Sequence, residues 1–198
     1  IAARVQEAGR GRLGRVWDSR EGNLLISWVL RPADRARWTW VPLSISVAVA
    51  LAVRERGIKL KVKWPNDLWS PEGAKVGGIL CEAVGQRGGS FIIAGLGLNC
   101  AHAPVGLDQA TSSLSELSGA VVSADDVRSG IHQKVMELLG RLDREGPNTI
   151  RAEYDPLAAF PRGTEVTWNV GQAGTVEGLG DAGELLVHAG DRGLIRLY

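Results

Sequence analysis

The stretch from 63 to 82, KWPNDLWSPEGAKVGGILCE, limits the possible folds of this chain more than any other. Lys63 ends an alternating run, and the following WPND at 64–67 consists of residues that turn a chain. A second turn is predicted at 71–73. The strand predicted after it contains Gly77-Gly78, and glycines inside a strand indicate close approach by a ligand or another backbone. We therefore predict a hairpin with a cation on one arm and bare backbone on the other.

A second unusual segment lies near the start of the chain, where residues 9–15 read GRGRLGR. It matches the dinucleotide-binding pattern G-x-G-x-x-G, but we reject that interpretation because residues 16–19 lead into a turn and a strand instead of a helix. It also lacks the Gly-Lys-Ser/Thr of a phosphate-binding P-loop. Glycine backbone N–H groups and arginine side chains together favour carboxylate or phosphate ligands. We predict an anion-binding loop.

These two segments, with KVGGIL at 75–80 and GLGLN at 95–99, resemble the biotin–protein ligases over essentially the whole chain. The resemblance implies a two-step reaction. Biotin carboxylate attacks the α-phosphate of ATP and releases pyrophosphate, and the biotinyl-adenylate then acylates a lysine of a biotin carboxyl carrier protein or domain. It also implies ATP accompanied by Mg²⁺, with no metal site built from the protein itself, since no carboxylate cluster is visible.

The resemblance assigns roles to residues that match the family motifs. The implied catalytic residues are Lys63 and Arg12, of which Lys63 would bridge the biotin carboxylate and the α-phosphate. The implied biotin-binding residues are Gln6, Arg10, Gly11, Arg12, Lys63, Gly77, Gly78, Ile79 and Leu80. The implied nucleotide-binding residues are Arg12, Arg15, Trp17, Asn66 and Asn99.

Two alternatives stay open at this point. A lipoate–protein ligase would share the fold and the acyl-adenylate chemistry. A biotin-responsive transcriptional repressor would need an N-terminal helix-turn-helix. The chain begins at Ile1 and lacks the Ser/Thr-Thr-Asn stretch that the family carries upstream of the Gly-Arg segment. We therefore expect a piece truncated at its N-terminus.

Composition excludes several classes of protein. A formal net charge of +1 gives no electrostatic footprint for DNA or RNA. The apolar run 41–53 is too short for the roughly 20 residues of a membrane span. Cys81 and Cys100 predict buried free thiols in a reducing, cytoplasmic compartment, with a single disulfide as the alternative. The three histidines have no evident catalytic partner, and the oligomeric state is not predicted.

The hydrophobic pattern predicts an α+β fold, in which a mixed β-sheet is flanked by helices. The list of predicted strands is 23–30, 59–64, 75–84 and 90–99, with a turn at 85–89, and that of helices is 38–56, 111–119, 123–144 and 148–159. Short β-rich pieces predict a bent antiparallel barrel from 163 onward. The resemblance implies a biotin/lipoate ligase-like catalytic domain at 1–160 and an SH3-like domain at 161–198.

Overall fold

A six-stranded antiparallel sheet forms the centre of the computed structural model, which describes residues 1–86 and 89–198. Its strands are β1 (Ala2–Ala3), β2 (Leu24–Leu30), β3 (Lys61–Lys63), β4 (Asp67–Trp69), β5 (Lys75–Gln86) and β6 (Gly89–Leu98). Their spatial order is β1-β2-β6-β5-β4-β3. Parallel pairing within the described residues is limited to isolated bridges, which join Val62 to Ala158 and Lys75 to Thr111. The α+β class is confirmed.

Four helices complete the larger part of the fold: α1 (Val41–Arg54), α2 (Leu114–Ser118), α3 (Ala124–Glu145) and α4 (Asn148–Tyr154). Helix α1 is buried throughout 43–53 and packs against α3 and against β3, β4 and β5. The predicted start at Trp38 was too early, because residues 35–40 form 3₁₀ turns. The α-helix begins at Val41, with Pro42 in its first turn, where its missing N–H is not needed.

The segment Arg35–Arg54 is long and apolar enough to pass a simple membrane-span test, with a mean hydropathy of 1.4. However, 72% of its most apolar window is buried inside the protein. It is therefore the core helix of this fold.

The two faces of the large sheet differ in composition. A Cβ at Gly77 would touch the buried side chains of Leu68 and Leu98, so this face belongs to the core. On the other face, Gly78 pairs with Gly97. Gly95 lies two pairs further along β6, opposite Leu80. We call this second surface the glycine face. The bare backbone predicted in the strand after the second turn is thus part of a wider surface that includes β6.

The predicted hairpin at 63–82 is wrong in one respect, because residues 67–69 form a strand of their own. Asp67, predicted as a turn residue, pairs with Lys63 on one side and with Gly78 on the other. Leu68 is fully buried, whereas Asp67 and Trp69 on either side of it are half-buried, and this alternation of burial is typical of a short strand. The result is a three-stranded meander.

Other element ends moved by a few residues. The strand predicted at 59–64 shortens to β3, and the helix predicted at 148–159 ends at Tyr154, followed by a 3₁₀ turn at Asp155–Leu157. Pro156 has no N–H to donate to a carbonyl four residues back, so the α-helical hydrogen bonding stops here although Asp155 keeps helical angles. Residues 87 and 88 of the predicted turn lie outside the described residues.

The last part of the chain forms a separate four-stranded antiparallel sheet, as the β-rich pattern predicted. Its strands are β7 (Glu165–Trp168), β8 (Gln172–Leu179), β9 (Leu185–His188) and β10 (Leu194–Leu197), in the order β10-β9-β8-β7. Strand β10 was not predicted. A register shift between Val176 and Gly178 bends β8. The division into domains at 160/161 stays a prediction.

The turn at 180–184 joins this small sheet to the rest of the molecule. The indole N–H of Trp40 donates to the Asp181 carbonyl at 2.9 Å, and that of Trp64 donates to the Gly183 carbonyl at 2.9 Å. Arg151 donates to the Gly180 carbonyl at 3.0 Å. Three side chains therefore hold three backbone carbonyls of one five-residue turn, which we call the docking turn.

Both cysteines are free thiols. Cys100 is buried, as predicted, whereas Cys81 is only half-buried. Burial raises the pKa of each thiol to about 12. Because the thiolate is the reactive form, both are expected to be inert near neutral pH.

We expect iodoacetamide at pH 8 to label neither Cys81 nor Cys100 in the folded protein and both after unfolding, as measured by mass spectrometry. Because burial raises both pKa values, the two thiols make their full contribution to stability at pH values below about 8.5, which is the thiol pKa in the unfolded chain. This contribution is lost as the pH rises towards 12. Rapid labelling of folded protein at pH 8 would contradict this account.

Candidate active site

Residues 9–15, which we call the Gly-Arg loop, form a closed loop whose ends are hydrogen-bonded together. The Trp17 N–H donates to the Gly9 carbonyl at 2.9 Å, and Arg10 bridges to Val16. Between them lies a 3₁₀ turn at Arg12–Gly14, in which Leu13 has a left-handed φ of 57°. No α-helix opens from the loop, which agrees with the rejection of the dinucleotide-binding pattern.

Two arginines of the loop are tied to the central sheet. Arg10 Nη2 lies 3.2 Å from Glu82 Oε2 on β5. Arg12 Nη1 donates to Asn66 Oδ1 at 3.2 Å, in the turn between β3 and β4. The loop is therefore held next to β5 by two polar contacts.

A cavity of about 860 Å³ lies between the Gly-Arg loop, β5, the start of α1 and the docking turn. Its volume is in the range of pockets that bind small organic ligands. The sequence-predicted site residues that it brings together are Arg10, Gly11, Arg12, Arg15, Asn66, Ile79 and Leu80. The docking turn adds Ala182, Gly183 and Glu184, and the C-terminal Tyr198 also lines the cavity. The sequence had given no signal for these last four.

The other predicted site residues lie outside this lining. Gln6 is at the base of the loop, where its backbone N–H donates to Ser19 Oγ at 2.9 Å. Gly77 faces the core. Asn99 is buried at the end of β6, where its amide donates to the Ser112 carbonyl at 3.1 Å. The Asn99 side-chain oxygen has no partner among the described residues.

Lys63 also lies outside the cavity lining. Its amine lies 4.9 Å from the centroid of the Trp69 ring, and that ring packs edge-on against Phe160. This cation–π contact holds the ammonium at the β3–β4 end of the sheet. Lys75 is absent from the lining as well, so the cavity does not decide between the two lysines, and the catalytic role of Lys63 stays a prediction.

Lys75 is the cation whose amine lies next to Gly78 on the glycine face, and it was not among the predicted site residues. Its amine is 2.7 Å from Asp67 Oδ1, and the two side chains are 22% and 17% exposed. The same amine would lie 3.6 Å from a Cβ built at Gly78. The sequence did contain an indication of this position, because Lys75 directly precedes the Val-Gly-Gly run of the same strand.

Trp17 covers another part of the glycine face. A methyl group at Gly97 would overlap the Trp17 indole, so the ring lies directly on the bare backbone of β6. A Cβ at Gly95, by contrast, would be 3.7 Å from Ser27 Oγ and 3.8 Å from the Leu80 carbonyl. Trp17 therefore anchors the loop to the sheet, and only glycine at 97 permits this contact.

We expect Gly97→Ala to displace the Trp17 ring and to expose the Gly-Arg loop to trypsin, because the methyl group and the indole cannot share the same space. Cleavage after Arg10, Arg12 and Arg15 should accelerate, as followed by mass spectrometry. Gly95→Ala, on the same strand and face, has room for its methyl group and serves as the control. Equal cleavage rates in the two variants would contradict the anchoring role of Trp17.

The arrangement places positive charge around bare backbone. Four cations, Arg10, Arg12, Arg15 and Lys75, lie around the loop and the glycine face. Glu82 and Asp67 neutralise two of them, Arg10 and Lys75. A carboxylate or phosphate could replace these partners, so the site suits an anionic ligand. Within the described residues, no three His, Cys, Asp or Glu side chains form a metal-binding group.

The comparisons with known proteins agree with this geometry. The family model for the biotin/lipoate A/B protein ligase family matches residues 1–99, half of the chain. A biotin–[acetyl-CoA-carboxylase] ligase from Paracoccus denitrificans is 38% identical over 109 residues, which cover 52% of this chain and 45% of the relative. The bifunctional ligase/repressor BirA of Bacillus subtilis is 31% identical over 214 residues, which cover all of this chain and 63% of the relative. The chain thus spans between about half and two thirds of these proteins.

A solved structure extends the similarity to the complete fold. Biotin protein ligase from Aquifex aeolicus, in complex with biotin and ATP, has a TM-score of 0.86 and 27% identity to this chain. The match covers 99% of this chain and 84% of the other. With a matched family model, similar relatives and a shared fold, the chain belongs to the biotin/lipoate A/B protein ligase family.

Proposed function

We propose that this chain is a biotin–protein ligase, which activates biotin with ATP and transfers it to a protein lysine. The observation that carries the proposal is the cavity that the Gly-Arg loop shares with β5 and the docking turn. It combines a volume suited to a small molecule with several cations that suit a carboxylate and a phosphate. The biotin ligase names of the relatives support biotin over lipoate as the acid.

The first step joins two anions, so charge neutralisation is the main task of the protein. A biotin carboxylate oxygen attacks the α-phosphorus of ATP, the bond to the β-phosphate oxygen breaks, and pyrophosphate leaves. Arg12, at the cavity wall, is suited to the negative charge that grows on the phosphorus. Lys75 takes the role that the sequence analysis gave to Lys63, because its amine lies beside Gly78. Mg²⁺ enters with ATP as part of that substrate.

The remaining residues position the reactants. In the proposal, Gly78, Ile79 and Leu80 let the biotin rings lie along the β5 backbone, and Arg10 and Gly11 close over them. Arg15 faces the nucleotide. Gln6 and Trp17 hold the loop in place from outside the cavity, and Asn99 supports the end of β6. A loop that closes over the mixed anhydride keeps water away from it until the acceptor arrives.

The second step uses a biotin carboxyl carrier protein or domain as the partner. Its lysine amine attacks the biotinyl carbonyl, an amide bond forms, and AMP leaves as the amine loses a proton. We place the reaction in the cytoplasm, where thiols stay reduced. The net charge of +1 gives no support to DNA binding by this chain, so a repressor function is not part of the proposal.

Biotin-dependent exchange of label between pyrophosphate and ATP tests the first step. The proposal predicts exchange with biotin and Mg²⁺-ATP, and little exchange when lipoate replaces biotin. Mass spectrometry of the reaction should detect biotinyl-AMP. Exchange that lipoate supports and biotin does not would overturn the choice of acid.

A further inference from the structure

Asn66 is a buried side chain whose three polar atoms, two in its amide and one in its backbone, contact two different walls of the cavity. Its backbone carbonyl accepts from the Ile79 N–H at 2.9 Å, and its side-chain amide donates to the Ile79 carbonyl. Its side-chain oxygen accepts from Arg12 Nη1 at 3.2 Å. One residue therefore joins β5 to the Gly-Arg loop.

These partners determine which way the amide faces. The Ile79 carbonyl can only accept a hydrogen bond, and a guanidinium can only donate. With the amide flipped, its NH₂ group would meet the donors of Arg12 and its oxygen would meet the Ile79 carbonyl. Only the observed orientation satisfies both partners, so β5 presents the Asn66 oxygen to the loop.

The Asn66 contact limits the freedom of an otherwise exposed arginine. A free arginine side chain samples many rotamers, and fixing one of them costs conformational entropy. A hydrogen bond from a guanidinium to a buried, pre-oriented oxygen offsets part of that cost before any ligand binds. The Asn66 oxygen accepts from Arg12 and its NH₂ donates to the Ile79 carbonyl, so both ends of the amide already serve the contact between β5 and the loop.

We propose that Asn66 is a positioning residue, which acts on the reaction by holding the Arg12 guanidinium at the cavity wall. This inference rests on the proposed function for its effect on rate. It replaces the nucleotide-contact role that the family resemblance implied for Asn66. Asn66 therefore affects the reaction only through Arg12.

A double-mutant cycle measures this dependence. Asn66→Ala should slow biotinyl-AMP formation about tenfold in the otherwise unchanged chain, the effect of losing one hydrogen bond to a charged group. Arg12→Ala should slow it about 100-fold. In the Arg12→Ala background, Asn66→Ala should change the rate less than about twofold. Effects that multiply to about 1,000-fold would overturn the proposal, because Asn66 would then act independently of Arg12.

A matched variant separates positioning from loss of stability. Asn23 is also a buried asparagine, directly before β2, and its Oδ1 accepts from the backbone N–H groups of Cys100, Ala101 and His102. Asn23→Ala should lower the melting temperature but leave the rate per folded molecule unchanged. If Asn66→Ala does not fold, Asn66→Ser repeats the cycle, since its hydroxyl is one atom too short to reach Arg12 in the same way.

Trypsin sensitivity tests the same contact without any reaction. In the ligand-free protein, Asn66→Ala should speed cleavage after Arg12 about fivefold, and Asn23→Ala should not. This readout distinguishes the two proposals. Absence of biotinyl-AMP with faster cleavage would remove the proposed function and keep the Asn66–Arg12 contact. Unchanged cleavage would contradict the contact itself.

Discussion

Lys75→Ala is expected to slow biotinyl-AMP formation about 100-fold, whereas Lys63→Ala should slow it less than about tenfold. The reason is position. The Lys75 amine lies on the glycine face next to Gly78, and an incoming carboxylate or phosphate can replace Asp67 as its partner. The Lys63 amine is instead held over the Trp69 ring, 4.9 Å from its centroid. Initial rates of biotinyl-AMP formation at saturating ATP measure both effects.

Lys63→Ala is the matched control, because it removes the same charge from the same sheet two strands away. Both variants should remain folded, since neither side chain is in the hydrophobic core. A larger loss for Lys63→Ala than for Lys75→Ala would contradict the assignment. It would instead support the role for Lys63 that the family resemblance implied.

Trp40→Ala is expected to lower the free energy of unfolding by about 3–5 kcal/mol. The Trp40 ring is fully buried, lies under Gly183 and donates to the Asp181 carbonyl. The substitution removes this packing, leaves a cavity and releases one contact of the docking turn. Urea titration followed by far-UV circular dichroism gives the loss.

Trp168→Ala provides the comparison within the small sheet. Trp168 is half-buried on β7, and Arg192 lies 5.9 Å from its ring centroid. This substitution should cost no more than half as much as Trp40→Ala, because less of its surface is buried. Equal losses would show that Trp40 has no special part in holding the docking turn.

Much of the fold follows from local sequence. Helix α3 was predicted to within one residue at each end, because Val127, Ile131 and Val135 recur at helical spacing, and all three are buried. The Gly-Arg loop was predicted as an anion-binding segment from its residue types alone. These features depend on neighbours a few positions apart, which the sequence displays directly.

The choice between two lysines could not be made from the sequence, because it depends on strand register and side-chain direction. Lys63 and Lys75 both flank the same meander, and strand β4 between them was not predicted. The register of β4 against β5 shifts between Leu68 and Trp69, and that shift cannot be read from residue types. The position of the Lys75 amine beside Gly78 could therefore not be predicted.

The docking turn was missed for a different reason. Its contacts join Trp40 to Asp181 and Trp64 to Gly183, which are 141 and 119 positions apart in the chain. Hydrogen bonds to backbone carbonyls place no demand on the residue that supplies the carbonyl. The residue types of the turn therefore indicate neither that two tryptophans donate hydrogen bonds to it nor that it lies at the cavity.

Transfer of labelled biotin to a purified biotin carboxyl carrier domain tests the central claim most directly. The chain, Mg²⁺-ATP, labelled biotin and the carrier domain are incubated together, and the label is located by mass spectrometry. We predict ATP-dependent labelling of one carrier lysine, abolished when that lysine is replaced by arginine. Failure to form biotinyl-AMP and to label the carrier, by protein shown to be folded, would contradict the claim.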